Sequence, residues 1–328
     1  MPFSWLYEKI IGARNLFYDR GVFDSFDLGV RTISIGNITA GGTGKTPLVA
    51  YVAHILAARG EKVCILTRGY GRKNPKRRVL VSDGAQILAT PNEAGDEPFE
   101  LAEKLIGKAI VIADADRVAA GEWAKRRFGV TAFVLDDGFQ HRKLKRDVDI
   151  VCIDATDPFG GGKMLTAGRL REPVHNLKRA NIVVITRANL AGDISNLRSE
   201  ISNLNPAAAI FLTENKVVGV RGLRDSHLFS ETNPAFAFCG IGNPDAFFRQ
   251  LKLENFSPTA TEAFRDHQVY MQQDINRIQT QAHNSGAQIL LTTAKDAVKL
   301  TGLEFEMPCF VVEIEVSIDD AEGFAAML

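Results

Sequence analysis

The sequence predicts an α/β protein: a mostly parallel sheet with helices on both faces, followed by a second, smaller α/β domain. Short apolar runs that are continuous rather than alternating predict strands covered on both sides. Between them lie longer stretches with apolar residues at helical spacing. The third observation is size, since 328 residues give room for about two domains of roughly 100–200 residues each.

The first strand is TISIGN (32–37). The helix after it is PLVAYVAHILAARG (47–60), where Leu48, Val49, Val52, Ile55 and Leu56 recur at helical spacing and Gly60 closes the segment. Further strands are KVCILT (62–67), AIVIAD (109–114), TAFVLDD (131–137), VDIVCID (148–154) and NIVVIT (181–186), with helical stretches around 97–106 and 116–128. After about Asn215 a second series begins: VVGVRG, AFAFCGIG, a polar helical stretch around 273–284, QILLTT and CFVVEIEV. The expected division is a first domain over 1–215, with an amphipathic helix at its N-terminus, and a smaller one over 216–328 closing over the active-site cleft.

Composition narrows the function classes. Hydrophobic residues at 45% and charged residues at 24% are ordinary globular usage, which excludes a disordered or fibrous chain. Thirty-nine Lys+Arg balance 39 Asp+Glu, so no global charge draws the molecule to nucleic acid or an anionic membrane. No aromatic platform or RNA-binding motif accompanies the basic stretches, and no nucleic-acid partner is expected. Cys64, Cys152, Cys239 and Cys309 each lie in or beside an apolar run and read as buried thiols of a reducing compartment. No stretch approaches the roughly 18 apolar residues of a membrane span, and the N-terminus lacks a secretory layout. A cytoplasmic protein is expected.

The strongest chemical signal is GNITAGGTGKTP, between a predicted strand and a predicted helix. Gly41, Gly42 and Gly44 let the backbone turn tightly and aim its N–H groups inward, making an anion nest at a helix N-terminus. The loop Thr39, Ala40, Gly41, Gly42, Thr43, Gly44 is then a P-loop in which Lys45 reaches the outer phosphates and the hydroxyl of Thr46 holds Mg²⁺. The usual pattern has glycine where this chain has Thr39. A nucleotide site also wants a carboxylate at the end of a neighbouring strand, and TAFVLDD ends in Asp136 and Asp137. Parallel strands deliver their C-terminal ends to one edge of the sheet.

GNITAGGTGKTP, RGYGRK (68–73), EAGDEP (93–98), LDDGFQHRKLKRD (135–147) and AGRLREP (167–173), in that order, closely resemble the tetraacyldisaccharide 4'-kinase (lipid A 4'-kinase) family. FRDHQVY (264–270) and TTAKD (292–296) extend the likeness into the second domain. The resemblance includes Thr39. It implies phosphoryl transfer from ATP, with Mg²⁺, to the 4'-hydroxyl of a tetraacylated glucosamine disaccharide 1-phosphate, at the cytoplasmic face of the bacterial inner membrane. It implies that Lys45 and Thr46 bind ATP and Mg²⁺, that Asp96 is the base acting on the sugar hydroxyl, and that His267 is its partner across the domain cleft. Asp136, Asp137, Gln140, His141, Arg171 and Glu172 are implied as the remaining shell: Asp136, Asp137, Gln140 and Glu172 toward the metal, Asp137, His141 and Arg171 toward the nucleotide.

Taken without the resemblance, Asp96 followed by Glu97 and Pro98 reads as an N-cap with proline in the first helical turn, and His267 is one of six histidines, in a polar stretch. RGYGRKNPKRR (68–78), with six Lys/Arg, and HRKLKRD (141–147), with four, are either solvated loops or neutralisers of phosphate on ATP, substrate or lipid. In SWLYEKIIGARNLFYDRG, Ser4 reads as a helix cap and Leu6, Ile10, Ala13 and Phe17 share a face, widened by Trp5, Tyr7, Ile11 and Leu16. With no positive excess, the residues alone favour packing this stripe on its own domain. The resemblance favours an inner-membrane surface contact, because four acyl chains cannot cross water. The rival readings are a regulatory NTPase and a non-enzymatic nucleotide-binding module, both lacking dependence on a lipid acceptor. Oligomeric state is open.

Overall fold

The protein is described from a computed structural model over residues 2–224, 233–300 and 302–328. It divides into two compact units, Met1–Glu214 with Ser317–Leu328, and Asn215–Val316.

In the first unit the order is α1 (Pro2–Asp19), β1 (Arg31–Asn37), α2 (Lys45–Ala58), β2 (Val63–Thr67), β3 (Val79–Ser82), α3 (Pro91–Ala94), α4 (Asp96–Lys104), β4 (Ala109–Ala113) and α5 (Arg117–Phe128). Then come β5 (Ala132–Asp136), β6 (Val148–Asp154), β7 (Ile182–Thr186), α6 (Ser195–Leu204) and β8 (Ala209–Gly222). The strands lie in the order β8-β7-β6-β1-β5-β2-β4-β3. All neighbours are parallel except the edge pair β3 and β4. Strands β2 and β4 to β7 are buried along their whole length, as is β1 after Arg31. Strands covered on both faces read as unbroken apolar runs, which is why the sequence shows them.

In the second unit come β9 (Ala235–Cys239), α7 (Pro244–Leu253), β10 (Ala260–Ala263), α8 (Gln272–Asn284), β11 (Ile289–Thr293), α9 (Ala294–Ala297) and β12 (Cys309–Ile318). They form a parallel set ordered β10-β9-β11-β12.

The last residues, α10 (Ala321–Met327) among them, correct the expected division. They were expected in the smaller domain and pack instead on the first unit. Phe324, fully buried, stacks edge-on against Phe211 at 5.2 Å and lies 6.2 Å from Tyr51, and Arg59 Nη2 donates to the Ala325 carbonyl at 2.6 Å. Both cysteine-bearing strands of each unit keep their thiols buried and unpaired.

Two glycines set how tightly the turn after β5 closes on β1. A Cβ on Gly36 would come within 2.6 Å of Phe139, and one on Gly138 within 2.6 Å of Ser34 Oγ. Gly138 N donates to the Ile35 carbonyl at 3.0 Å. The DDGFQ turn therefore lies directly on the strand that feeds the glycine-rich loop.

Much of the basic character of the two Lys/Arg stretches is taken up by the chain's own hydrogen bonds and ion pairs. Arg72 is buried and donates to the carbonyls of Ala113, Arg77 and Pro75, each at 2.7 Å. Arg78 pairs with Asp114 at 2.7 Å and Arg146 with Asp149 at 2.6 Å. Arg142, Lys143 and Lys145 pair with Asp19, Asp116 and Asp27.

Candidate active site

The loop from Thr39 to Gly44 runs between the end of β1 and the start of α2. Gly44 caps α2 in the left-handed conformation (φ 76°, ψ 19°) and Gly41 has φ 113°, backbone that glycine adopts without a Cβ penalty. The loop is held from three sides. Asn37 Nδ2 donates to Thr43 Oγ1 at 2.8 Å, Thr186 Oγ1 to the Thr43 carbonyl at 2.9 Å, and Arg187 Nη1 to the Gly42 carbonyl at 2.8 Å. Ala40 N donates to the Arg169 carbonyl at 2.7 Å, and Thr39 bridges Leu170. With carbonyls turned to these partners, the N-terminus of α2, with Lys45 and Thr46 in its first turn, is left as an anion-binding end.

Lys45 faces the end of β5, where Asp137 Oδ1 lies 3.5 Å from its Nζ. Arg171 Nη1 donates to both oxygens of Asp137, at 2.8 and 2.7 Å. Burial by itself would raise the Asp137 pKa, but Lys45, Arg171 and Arg117 outweigh it and hold the carboxyl far below the usual range. Asp136 stands in the opposite condition. Its side chain is 2% exposed and accepts one hydrogen bond from Thr67 Oγ1 at 2.8 Å. Burial first, then the charges of Glu97 and Asp137, push its pKa up to about 6, against the pull of Lys45. One edge of the sheet thus carries two adjacent carboxylates tuned apart, a pattern of functional sites.

Asp96 opens α4, and its cap is Gly95, so it is not the N-cap that its sequence context suggested. Asp96 and Glu97 occupy the first turn. The turn before them interlocks with RGYGRK: a Cβ on Gly95 would meet the Tyr70 carbonyl at 2.8 Å, and one on Gly69 the Ala94 carbonyl at 2.7 Å. Lys73 N donates to the Asn92 carbonyl at 3.1 Å. The negative charge of Glu97, in this first turn, is one of the causes that raise the Asp136 pKa.

The remaining predicted residues separate. Gln140 Nε2 donates to the Asn37 carbonyl at 2.8 Å and fixes the end of β1. His141 Nδ1 lies 3.3 Å from Arg117 Nη1. A guanidinium only donates, so Nδ1 accepts and the ring proton sits on Nε2. Burial, then Arg117 and Arg146, lower the His141 pKa to about 3, which keeps the ring neutral. Glu172 does not join the group as the expected metal ligand. It is 0% exposed, and its two oxygens are taken by Asn15 Nδ2 at 2.9 Å, Asn176 Nδ2 at 2.8 Å and Arg179 at 2.9 and 3.1 Å. A buried carboxylate satisfied by three partners has a structural task.

His267, in the second unit, has φ 58° and lies 3.9 Å from Asp266, whose carboxylate also pairs with Lys295 at 3.1 Å. TTAKD proves to be a buried hub. Asp296 accepts from Gly240 N at 2.9 Å, Thr293 Oγ1 at 2.7 Å, Tyr270 Oη at 3.2 Å and Lys299 Nζ at 3.2 Å.

Sequence reasoning missed Arg117, Arg187 and Asp154. Arg187, at φ 58°, pairs with the buried Asp154 while it grips Gly42. Their only signal was position, since each follows or ends a strand of the parallel set, the edge where such sheets build sites. Asp137 and Arg187 share left-handed backbone at non-glycine positions, strain that persists where a site requires it. Among the described residues no cluster of three His, Cys, Asp or Glu could cage a metal ion. Mg²⁺ needs no such cage: it keeps several waters and takes one or two carboxylates plus phosphate oxygens. The hard oxygens of Thr46, Asp136 and Asp137 fit that donor set, and at Asp136 burial and the neighbouring carboxylates outweigh the pull of Lys45, a surplus of negative charge that a cation would relieve.

Comparison with known proteins agrees over the whole chain. The family described as Tetraacyldisaccharide-1-P 4'-kinase matches residues 1–328. A tetraacyldisaccharide 4'-kinase of Geobacter metallireducens is 41% identical over 298 residues, covering 90% of this chain and 86% of that protein. One from Chlorobium limicola is 34% identical and covers 100% and 95%. A crystal structure of LpxK from Aquifex aeolicus in complex with ATP superposes with a TM-score of 0.77 at 32% identity, covering 99% of this chain and 96% of that one. With a family match from end to end and a shared fold over nearly the whole chain, this chain belongs to the tetraacyldisaccharide-1-P 4'-kinase family.

Proposed function

We propose that the protein transfers the γ-phosphoryl group of ATP to the 4'-hydroxyl of a tetraacylated glucosamine disaccharide 1-phosphate, giving the 1,4'-bisphosphate. The observation that carries this reading is Lys45, at the head of α2, facing the Asp136–Asp137 pair at the end of β5, in a chain that matches the kinase family over its full length.

Phosphoryl transfer asks for positioning and charge neutralisation more than covalent help. The glycine loop and Lys45 hold the β and γ phosphates, and Arg171 adds a second cation beside Asp137. The pairing of Lys45 with Asp137 keeps the ammonium aimed across the loop before nucleotide arrives. Thr46, Asp136 and Asp137 would hold Mg²⁺, which when bound neutralises phosphate charge. Asp96, on the first turn of α4, accepts the proton of the sugar hydroxyl as the new P–O bond forms. His267 supports Asp96 in that role.

The acceptor is reached at a membrane. No helix of the described residues is long and apolar enough to span one. The apolar stripe of α1, which its sequence alone favoured burying, faces solvent: Trp5 is 62% exposed, Ile10 57%, and Leu6, Leu16 and Phe17 are exposed too. Val22, Phe23 and Phe26 continue the exposed apolar surface. Such a surface on a half-polar helix suits the interfacial plane of a bilayer, and we assign it to the cytoplasmic face of the inner membrane as a peripheral contact.

The test is acceptor dependence. ATP consumption is followed with and without the acylated disaccharide 1-phosphate, and the lipid product is weighed by mass spectrometry. The reading requires turnover that rises with acceptor and a product heavier by one phosphate. Hydrolysis indifferent to the acceptor would instead indicate a regulatory NTPase.

A further inference from the structure

Helix α1 docks by a mixed face, polar side chains beside Tyr7 and Ile11, and not by the stripe of Leu6, Ile10, Ala13 and Phe17. Ser4, Tyr7, Ile11, Arg14, Asn15 and Tyr18 are the residues turned inward, at helical spacing, while the positions between them are exposed. Four side-chain hydrogen bonds tie this inward face to Gln140, Met164, Arg171 and Glu172. Ser4 Oγ donates to the Met164 carbonyl at 3.1 Å and Arg14 Nη2 to the Gln140 carbonyl at 2.7 Å. Tyr7 Oη donates to the carbonyl of Arg171 at 3.1 Å, and Asn15 Nδ2, on a residue 5% exposed, to the carboxylate of Glu172 at 2.9 Å.

Arg171 and Glu172 are therefore gripped from both directions. On one side are Tyr7 and Asn15. On the other, Arg171 N donates to the Ile38 carbonyl at 2.7 Å, at the mouth of the glycine loop, and its guanidinium holds Asp137. We propose that Tyr7 and Asn15 are positioning residues for phosphoryl transfer: through the main chain of Arg171 and the side chain of Glu172 they fix the guanidinium that orients Asp137 opposite Lys45. The proposal rests on the kinase reading above and gives α1 a task at the nucleotide, separate from any task of its outward face. A buried hydrogen bond contributes about 1 kcal/mol, or fivefold in an equilibrium, so each contact is expected to act at that scale.

The experiment uses the full chain as Tyr7→Phe, Asn15→Ala, Arg171→Ala and the double variant Tyr7→Phe/Arg171→Ala. Dissociation constants for a non-hydrolysable ATP analogue are measured without lipid, together with kcat and KM for ATP and thermal melting. Tyr7→Phe removes one oxygen and keeps the ring, so folding is preserved. It is expected to weaken analogue binding and raise KM for ATP by about fivefold, with Asn15→Ala similar. In the Arg171→Ala background, Tyr7→Phe is expected to change neither, because its effect runs through Arg171. Unchanged nucleotide affinity in both single variants, or a Tyr7→Phe loss of equal size with and without Arg171, overturns the proposal. Failure of the kinase reading would show separately, in the wild-type protein, as absence of ATP binding or of acceptor phosphorylation.

Discussion

At the scale of single residues, the neighbours Asp136 and Asp137 are driven in opposite directions by what surrounds them. Asp137 answers to Lys45, Arg171 and Arg117, whereas burial and the carboxylate of Glu97 act on Asp136. Its pKa of about 6 means that the folded state holds a proton that the unfolded chain releases at lower pH. Stability from this group is complete below the unfolded carboxyl value and is lost as pH rises through about 6. Metal binding needs the charged form, so kcat/KM for ATP is expected to fall as pH drops through about 6. Asp136→Asn should remove most turnover at every pH and raise the melting temperature at pH 8, worth roughly 1–3 kcal/mol. A pH–rate profile with paired melting curves checks both, and an Asn variant less stable than wild type at pH 8 would contradict this account. Asp137, depressed instead, contributes stability above the ordinary carboxyl range that is lost at strongly acidic pH.

Arg187 is a second residue whose loss should be costly. It joins the Gly42 carbonyl to the buried Asp154, so Arg187→Ala leaves that carboxylate without its ion-pair partner and the loop without one of its holds. Destabilisation of about 3–5 kcal/mol is expected, with ATP affinity at least tenfold weaker. Calorimetric titration and thermal melting would show it, and an intact affinity would mean that the loop holds its shape without this clamp.

Among elements, α1 has one face docked and one exposed. Trp5→Glu and Ile10→Glu lie on the exposed side, where apolar side chains contribute roughly 1.5–3 kcal/mol each when fully buried. Their combination should reduce binding to phosphatidylglycerol-containing vesicles by more than tenfold in a flotation assay while the protein still melts cooperatively. Wild-type flotation by the double variant would exclude this face as the contact. The turn after β5 makes a stability prediction. Gly36→Ala puts a methyl 2.6 Å from Phe139, and overpacking of this kind costs about 1–3 kcal/mol, readable as a shift of the urea midpoint.

Elements also show where sequence is informative. The buried strands β1, β2 and β4 to β7 were legible because a strand covered on both faces is a solid apolar word. The short edge strands β3 and β10 were not, with four residues each and half-buried patterns. Helix α7 escaped because its signal lies in its cap, with Asn243 accepting from Ala246 N and proline in the first turn, rather than in a long apolar stripe. In α1 the period was readable but the choice of buried face was not, since burying polar groups is favourable only when partners such as Glu172 and the Arg171 carbonyl await them.

For the whole molecule, Asp96 sits on the first unit and His267 on the second, so a chemical partnership between them is a statement about both units in one reaction. If they act together on the sugar hydroxyl, Asp96→Ala and His267→Ala each lower kcat by about 10²–10⁴-fold, and the double variant is little worse than the more damaged single. Losses that multiply would mean independent roles.

The sequence by itself determined the parallel sheet, the glycine-rich turn from β1 into α2 with Lys45 and Thr46 in its first turn, and the strand-end carboxylates, because these depend on local periodicity, glycine at strained backbone and the polarity of a strand's end. Tertiary structure alone decided that Glu172 is a buried brace rather than a metal ligand, that Arg187 and Arg117 belong to the site, that TTAKD is a hub around Asp296, and that residues 317–328 return to the first unit. Each of those depends on which side chains meet across long stretches of chain, as where Glu172 finds three donors and Asp136 one hydroxyl.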